Sequence, residues 1–241
     1  MFINDIDSAV DVMTSVMSKF ADDTKWGRKV ENEEDRKVFQ EGLDSLMKWA
    51  NHWQMEFNID KCPVMHLGTR NNEFKYTMGG QELKTSEFEK DIGVLIQRNL
   101  KPSLQCAKAV KTANAVLAQI SRAVSYRDKV TFLKLFRTYV RPHLEYCVSA
   151  WSPWTQGDKD LLENVQRRAM VTNFKGKTYE EKLSEAGMVT LETRRRRGDL
   201  LQAYRVFSGK DDVDPSIWFD MADRRDGSMT MRHKRGHWNV K

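Results

Sequence analysis

Hydrophobic periodicity changes once along this chain, near Lys101-Pro102, and that change decides its architecture. Upstream, apolar residues come in short runs broken by turn residues, a pattern of strands with one helix among them. Downstream, they recur three and four positions apart, the pattern of helices that each bury one stripe. The spacing predicts a mixed part over 1–100, an all-helical part over 101–209, and a polar, weakly patterned tail over 210–241 that is expected to be flexible. The fold class expected is α+β, with antiparallel strands plus helices first and helices alone afterwards. With 40% hydrophobic residues over 241 positions, the chain has enough apolar surface for a globular core.

Within the mixed part, Val12, Met13, Val16 and Met17 lead up to Phe20 and predict a strand over 15–20. A tip at Ala21-Asp22-Asp23 and a return strand from Thr24 to Val30 complete a hairpin. Asn32 then reads as a helix cap, because Glu33, Glu34 and Asp35 follow it where the helix dipole favours negative charge. Phe39, Leu43, Leu46 and Ala50 give that helix a stripe, widened by Trp49 and Trp53, to lie on a sheet. Pro63 precedes the run Val64, Met65, Leu67, a loop feeding a strand. Gly79-Gly80 marks a hairpin turn, and Lys90 to Gln97 reads as one further strand.

In the helical part, Leu104, Ala107, Val110, Ala113, Leu117, Ile120 and Val124 form one stripe. Further helices are expected over 128–140, closed by Arg141-Pro142, and over 144–151 and 158–172. Thr178 to Glu181 fits a capping box, Gly187 a helix stop, and a helix over 191–208 ends at Gly209.

Charge is as uneven as periodicity. Residues 1–100 carry 13 Lys+Arg against 18 Asp+Glu, a net of −5, whereas residues 101–241 carry 27 against 16, a net of +11. A basic half points to a polyanionic partner, nucleic acid above all. Cys62, Cys106 and Cys147 lack paired spacing, which argues against a disulfide framework or a zinc site, and His233 with His237 has no second ligand pair nearby. Asp5, Asp7 and Asp11 interrupt any signal-peptide core, and no stretch approaches a membrane span. The chain is therefore expected inside the cell, in nucleus or cytoplasm, with no membrane partner.

Chemistry-bearing residues fall into two groups. Adjacent carboxylates repel, so Asp22-Asp23 must be offset by solvent, by cations or by a metal ion. A solvated turn and a pair of oxygen ligands for a divalent cation both fit. The candidate phosphate contacts are Lys108, Lys111, Arg141, Arg167, Arg168 and the run Arg194, Arg195, Arg196, Arg197. Four consecutive residues sweep about 300° of a helix, so that run cannot address one ligand as a whole. Tyr139, Tyr146, Trp151 and Trp154 interleave with this basic character and fit either base stacking or core packing.

Taken in order, several segments resemble reverse transcriptases of non-LTR, LINE-type retrotransposons of the jockey-like kind. "FINDI" (Phe2 to Ile6) is similar to the end of the template-contacting segment, "FADDTK" (Phe20 to Lys25) to the catalytic hairpin, and "WANHWQMEFNIDKCPVMHLG" (Trp49 to Gly68) to the helix, loop and strand that follow. "EKDIGVLI" (Glu89 to Ile96) resembles the primer-grip region. "LFRTYVRPHLEYCVSAWSP" (Leu135 to Pro153), "VQRRA" (Val165 to Ala169) and "LETRRRRGDL" (Leu191 to Leu200) resemble the helical thumb.

The resemblance implies a truncated polymerase palm over 1–100, a basic thumb over 101–209, and RNA-directed DNA polymerisation in the full-length form. Its partners would be an RNA template and a DNA primer, or their heteroduplex. It implies that Asp22 is a direct metal ligand and Asp23 a supporting carboxylate for two Mg²⁺ ions about 3.5–4 Å apart. Ala21 would let the primer end approach, and Lys61 would protonate the leaving pyrophosphate. The family's further metal-binding aspartate and its fingers lie upstream of the matched segments, so the chain alone is expected to be inactive. The alternative is a non-catalytic nucleic-acid-binding protein derived from such an element.

Overall fold

The computed structural model describes residues 3–10, 15–68, 71–124, 128–171, 174, 176–217, 219–223 and 229–233. The expectations that fall on Phe2, Val12, Met13 and His237 lie outside the described residues. The chain is α+β, built from two-stranded ribbons and a succession of helices. It divides into two compact units, one of residues 1–89 with 97–100 and one of residues 90–96 with 101–241. Among the described residues, no helix is long and apolar enough to cross a membrane.

In the first unit, β1 (Ser15–Phe20) pairs antiparallel with β2 (Asp23–Arg28), and α1 (Glu33–His52) follows. Asn32 caps α1 as its sequence predicts, its side chain accepting from Asp35 N–H at 2.8 Å. Leu43, Leu46, Trp49 and Ala50 are buried with Ile6, Tyr76, Met78 and Leu83 in one core. Trp26 of β2 stacks on Phe39 of α1 with ring centroids 4.3 Å apart, and Phe39 meets Tyr76 edge-on at 4.9 Å. Gly42 is what permits this contact. A Cβ there would stand 2.2 Å from the Trp26 ring. Trp53 lies just past the helix end and is 37% exposed, so it does not extend the buried stripe.

Beyond α1, the strand expected after Pro63 reduces to a single parallel bridge between Val64 and Thr85. Gly79 and Gly80 turn β3 (Thr77–Met78) into β4 (Gln81–Glu82), and both adopt the positive φ that the turn demands. Arg98 pairs with Glu73 and Glu87, which ties the end of this unit together.

Residues 90–97, expected as one strand, belong instead to a hairpin of β5 (Phe88–Asp91) and β6 (Val94–Gln97). Its turn, Ile92-Gly93, has φ of 42° and 86°. A β-branched residue in that region costs on the order of 1–3 kcal/mol. Two hydrogen bonds from the second unit's helices offset it: Lys108 Nζ donates to Gly93 O at 2.8 Å and Tyr146 Oη donates to Ile92 O at 2.9 Å. The hydroxyl contributes about 0.5–1.5 kcal/mol and the ammonium about 1.5–3 kcal/mol. Sequence pattern misses this turn because its cause lies in partners far along the chain.

In the second unit, α2 (Ser103–Ala123) and α6 (Gln156–Val171) are neighbours in the core. The buried stripe of α2 is Cys106, Ala109, Ala113, Leu117 and Ile120, whereas Ala107 is exposed, so the face is rotated from the one expected. Three small residues on the buried side let a neighbouring helix approach closely.

α3 (Lys129–Leu135) does not stop at Arg141-Pro142. It passes through a π-helical turn, Phe136–Val140, into α4 (Arg141–Glu145). Arg141 N–H bonds the carbonyl of Phe136, five residues back, and this wider winding accommodates the proline ring. The break comes at Cys147, with φ of 52°, before α5 (Val148–Trp151). α7 (Tyr179–Glu185) carries the predicted capping box, and Gly187 stops it at a φ of 58°. α8 (Leu191–Phe207) follows, capped by Thr190. Within 210–241, β7 (Phe219–Asp223) pairs antiparallel with β8 (Met229–His233).

Candidate functional site

Phe20 stands opposite Asp23, so the hairpin loop is only Ala21-Asp22 and Asp23 is the first residue of β2 rather than part of the tip. A two-residue loop needs a left-handed backbone, and Ala21 supplies it with φ of 54°. That is a conformational reason for a small residue here. Burial alternates along both strands: Met17 and Trp26 turn toward the core, while Val16, Phe20, Asp23 and Lys25 are exposed. Asp22 is exposed as well. The adjacent carboxylates are therefore exposed to solvent, one in the loop and one at the start of β2.

Oxygen ligands of this kind suit Mg²⁺, which is held by one or two carboxylates plus phosphate oxygens. They do not by themselves make the shared cage that two ions need. Among the described residues, no group of three or more His, Cys, Asp or Glu side chains is gathered to hold a metal. Lys61 ends the 3-10 turn Ile59–Lys61 and is exposed; its neighbour Asp60 pairs with Lys84 at 2.8 Å, which holds the Asp60 carboxyl below its ordinary range.

The basic candidates of the second unit take different roles. Lys108 is half-buried and engaged with the Ile92-Gly93 turn. Lys111 and Arg196 are exposed. Arg167 lies over the Tyr179 ring at 5.0 Å, and Arg168 donates to Asn114 at 3.1 Å, linking α6 to α2. Arg195 is 4% exposed, too deep to meet a polymer at the surface. Burial pushes its guanidinium pKa down, with Glu163 opposing. Of the aromatics, Trp151 is core, its indole donating to Tyr146 O, whereas Tyr139, Tyr146 and Trp154 are exposed.

Arg194 and Arg197, one helical turn apart on α8, come together with Arg141 and with Arg137, which sequence reasoning passed over. The four arginines line one cavity of about 260 Å³ with Gly187, Met188 and Val189, and no acidic residue lines it. Arg137 donates to Ala186 O at 2.6 Å and so completes the end of α7. Arg194 grips Glu145 with two donors, and Arg141 Nε lies 3.7 Å from the same carboxylate. Burial pulls the Arg141 pKa down, and the neighbouring Arg194 and Arg137 add to that against Glu145. The signal that finds Arg137 is its spacing of four from Arg141, on the segment where the helix continues through its proline.

A polar knot holds the cavity's backbone wall in place. Buried Glu163 accepts from Leu191 N–H at 2.9 Å, from the Tyr179 hydroxyl and from Gln166, and Gln166 also donates to Val189 O at 3.1 Å. Burial first, and then the Glu163 bond, raise the Tyr179 phenol well above its ordinary pKa.

An α+β chain of this layout, mixed first and helical after, is compatible with a polymerase palm followed by a helical thumb. Comparison with known proteins finds similarity to the RNA-directed DNA polymerase from mobile element jockey of Drosophila melanogaster, 18% identical over 135 residues. The match covers 54% of this chain and 15% of that relative's length. No family model matches the chain, and no solved structure matches it.

Proposed function

We propose that this chain is the palm and thumb part of an RNA-directed DNA polymerase of a non-LTR retrotransposon, binding an RNA template with its DNA primer. One observation carries the reading: a chain similar to the jockey polymerase presents two adjacent, exposed carboxylates at a tight hairpin, Asp22 in its two-residue loop and Asp23 opening the return strand. Under this reading Asp22 is the direct ligand of Mg²⁺ and Asp23 supports it. Bound Mg²⁺ would supply Lewis-acid stabilisation of charge developing on phosphate oxygens. A further carboxylate has to join them from outside the described residues, because two from neighbouring positions cannot enclose a pair of ions. Lys61 is the candidate proton donor to pyrophosphate, and the exposed cations of the second unit, Lys111, Arg167, Arg168 and Arg196, are the backbone contacts.

The purified 241-residue chain is expected to bind a primer-template with steep salt dependence and to add no nucleotide. Gel-shift titration and primer extension with Mg²⁺ measure both. Extension that is abolished by Asp22→Ala would overturn the expected inactivity and establish a complete site; absence of binding would overturn the nucleic-acid reading itself. The runner-up, a binding protein without catalysis, is favoured by the arginine-lined cavity of the second unit, whose lining has no carboxylate.

A further inference from the structure

We propose that the cavity walled by Arg137, Arg141, Arg194 and Arg197 is a phosphate-binding site, and that it takes the terminal phosphate of a nucleic-acid strand. Its lining has four arginines and no acidic residue. Glu145, which pairs with Arg194 and lies near Arg141, offsets one of those charges and leaves three. Like charges brought this close repel, and the surplus is a standing demand for an anion. Arg137 spends one of its terminal nitrogens on Ala186 O, and Arg194 spends two donors on Glu145, which fixes both guanidinium planes. Arg197 is exposed and has no ion pair among the described residues. A preset wall and one unengaged arm at the mouth are what recognition of a small anion requires, since little ordering remains when it binds.

Guanidinium groups match phosphate oxygens in geometry as well as charge. A terminal phosphomonoester carries nearly two charges, against one for an internal diester, so the three surplus charges favour a strand end over its interior. A concave site of about 260 Å³ also suits a chain end better than a continuous backbone passing by. The choice of a nucleic-acid strand as the source rests on the reading above; the phosphate chemistry does not.

Two arms test it on the whole chain. In the first, inorganic phosphate is titrated calorimetrically at fixed ionic strength. Saturable binding is expected, weakened about tenfold by Arg197→Ala and by Arg141→Gln, the loss of roughly one charge-assisted bond each. Arg197→Ala removes no contact that the fold uses, and circular dichroism checks both variants. Failure to saturate, or saturation unchanged in both, overturns the site. In the second arm, one oligonucleotide is compared with phosphate at its 5′ end, at its 3′ end or at neither. One phosphorylated form is expected to bind about tenfold tighter than the unphosphorylated one, a ratio that Arg197→Ala brings close to one. A ratio of one in the unaltered chain overturns the terminal preference. Loss of all oligonucleotide binding with phosphate still saturating would instead sink the nucleic-acid reading and leave the anion site standing.

Discussion

Cys106 is fully buried on α2, in the core of the second unit. Burial, and next the carboxylate of Asp158, push its thiol up to about 12, with Arg195 acting the other way. The thiol is thus held protonated in the fold, while in the unfolded chain it titrates near an ordinary value of about 8.5. Below that ordinary value neither state ionises, and the stability contributed is fully present. As pH rises toward 12 only the unfolded state loses its proton, so the contribution falls. Urea unfolding of the unaltered chain and of Cys106→Ala at pH 8 and pH 10.5 reads this directly. The stability advantage of the unaltered chain is expected to shrink by about 2 kcal/mol over that range. A constant difference would mean that water reaches the thiol in the folded protein. Exposed Cys147, by contrast, should react with a thiol reagent long before Cys106 does.

At the scale of elements, the buried Glu163 knot joins α6, α7 and the start of α8. Removing its carboxylate orphans the Leu191 N–H and takes from the Arg195 guanidinium, whose terminal nitrogens already lack partners, the largest of its counter-charges, ahead of Glu192 and Glu145. Glu163→Ala should therefore cost about 3–5 kcal/mol, measured by denaturant unfolding, whereas Glu163→Gln keeps the shape and should cost less. A loss below about 1 kcal/mol for the alanine variant would show that the knot is not needed to hold the wall of Gly187 to Val189. Such knots are poorly legible in sequence. The capping box of α7, the cap of α1, the Gly79-Gly80 turn and the stop at Gly187 could be read because each is encoded within a few residues. The turn at Ile92-Gly93 could not, since Lys108 and Tyr146 hold it from elsewhere in the chain. The same distinction applies to the candidate sites. Paired carboxylates at a hairpin stand out in a linear string, but the gathering of Arg137 with Arg194 depends on a helix that continues through its proline by widening one turn.

Across the whole molecule, the net of −5 over residues 1–100 and +11 over 101–241 is the reason the proposed polyanion contacts fall in the second half. Each cation that neutralises a phosphate lowers the slope of log K against log salt by about 0.7 on a single strand and about 0.9 on B-form DNA. Neutralising Lys111, Arg168 and Arg196 together should therefore flatten the measured slope by about two units. All three are exposed; Arg168 gives up its bond to Asn114, and Arg196 its attraction to Glu192. The matched control replaces Lys29, Lys37 and Lys48 of the first unit with glutamine, the same change in net charge on the other half of the sequence. That control should leave the slope within about half a unit of its original value, because those three lysines are not among the proposed phosphate contacts and release no counterions. Equal flattening by both triple variants would mean that binding follows total charge alone, and the division of labour between the halves would fail. A slope reduced only by the second-unit variant ties affinity to phosphates seated on those helices. It would also separate grip from chemistry, since Asp22 and Asp23 lie in the acidic half and contribute no attraction to a polyanion without a bound cation.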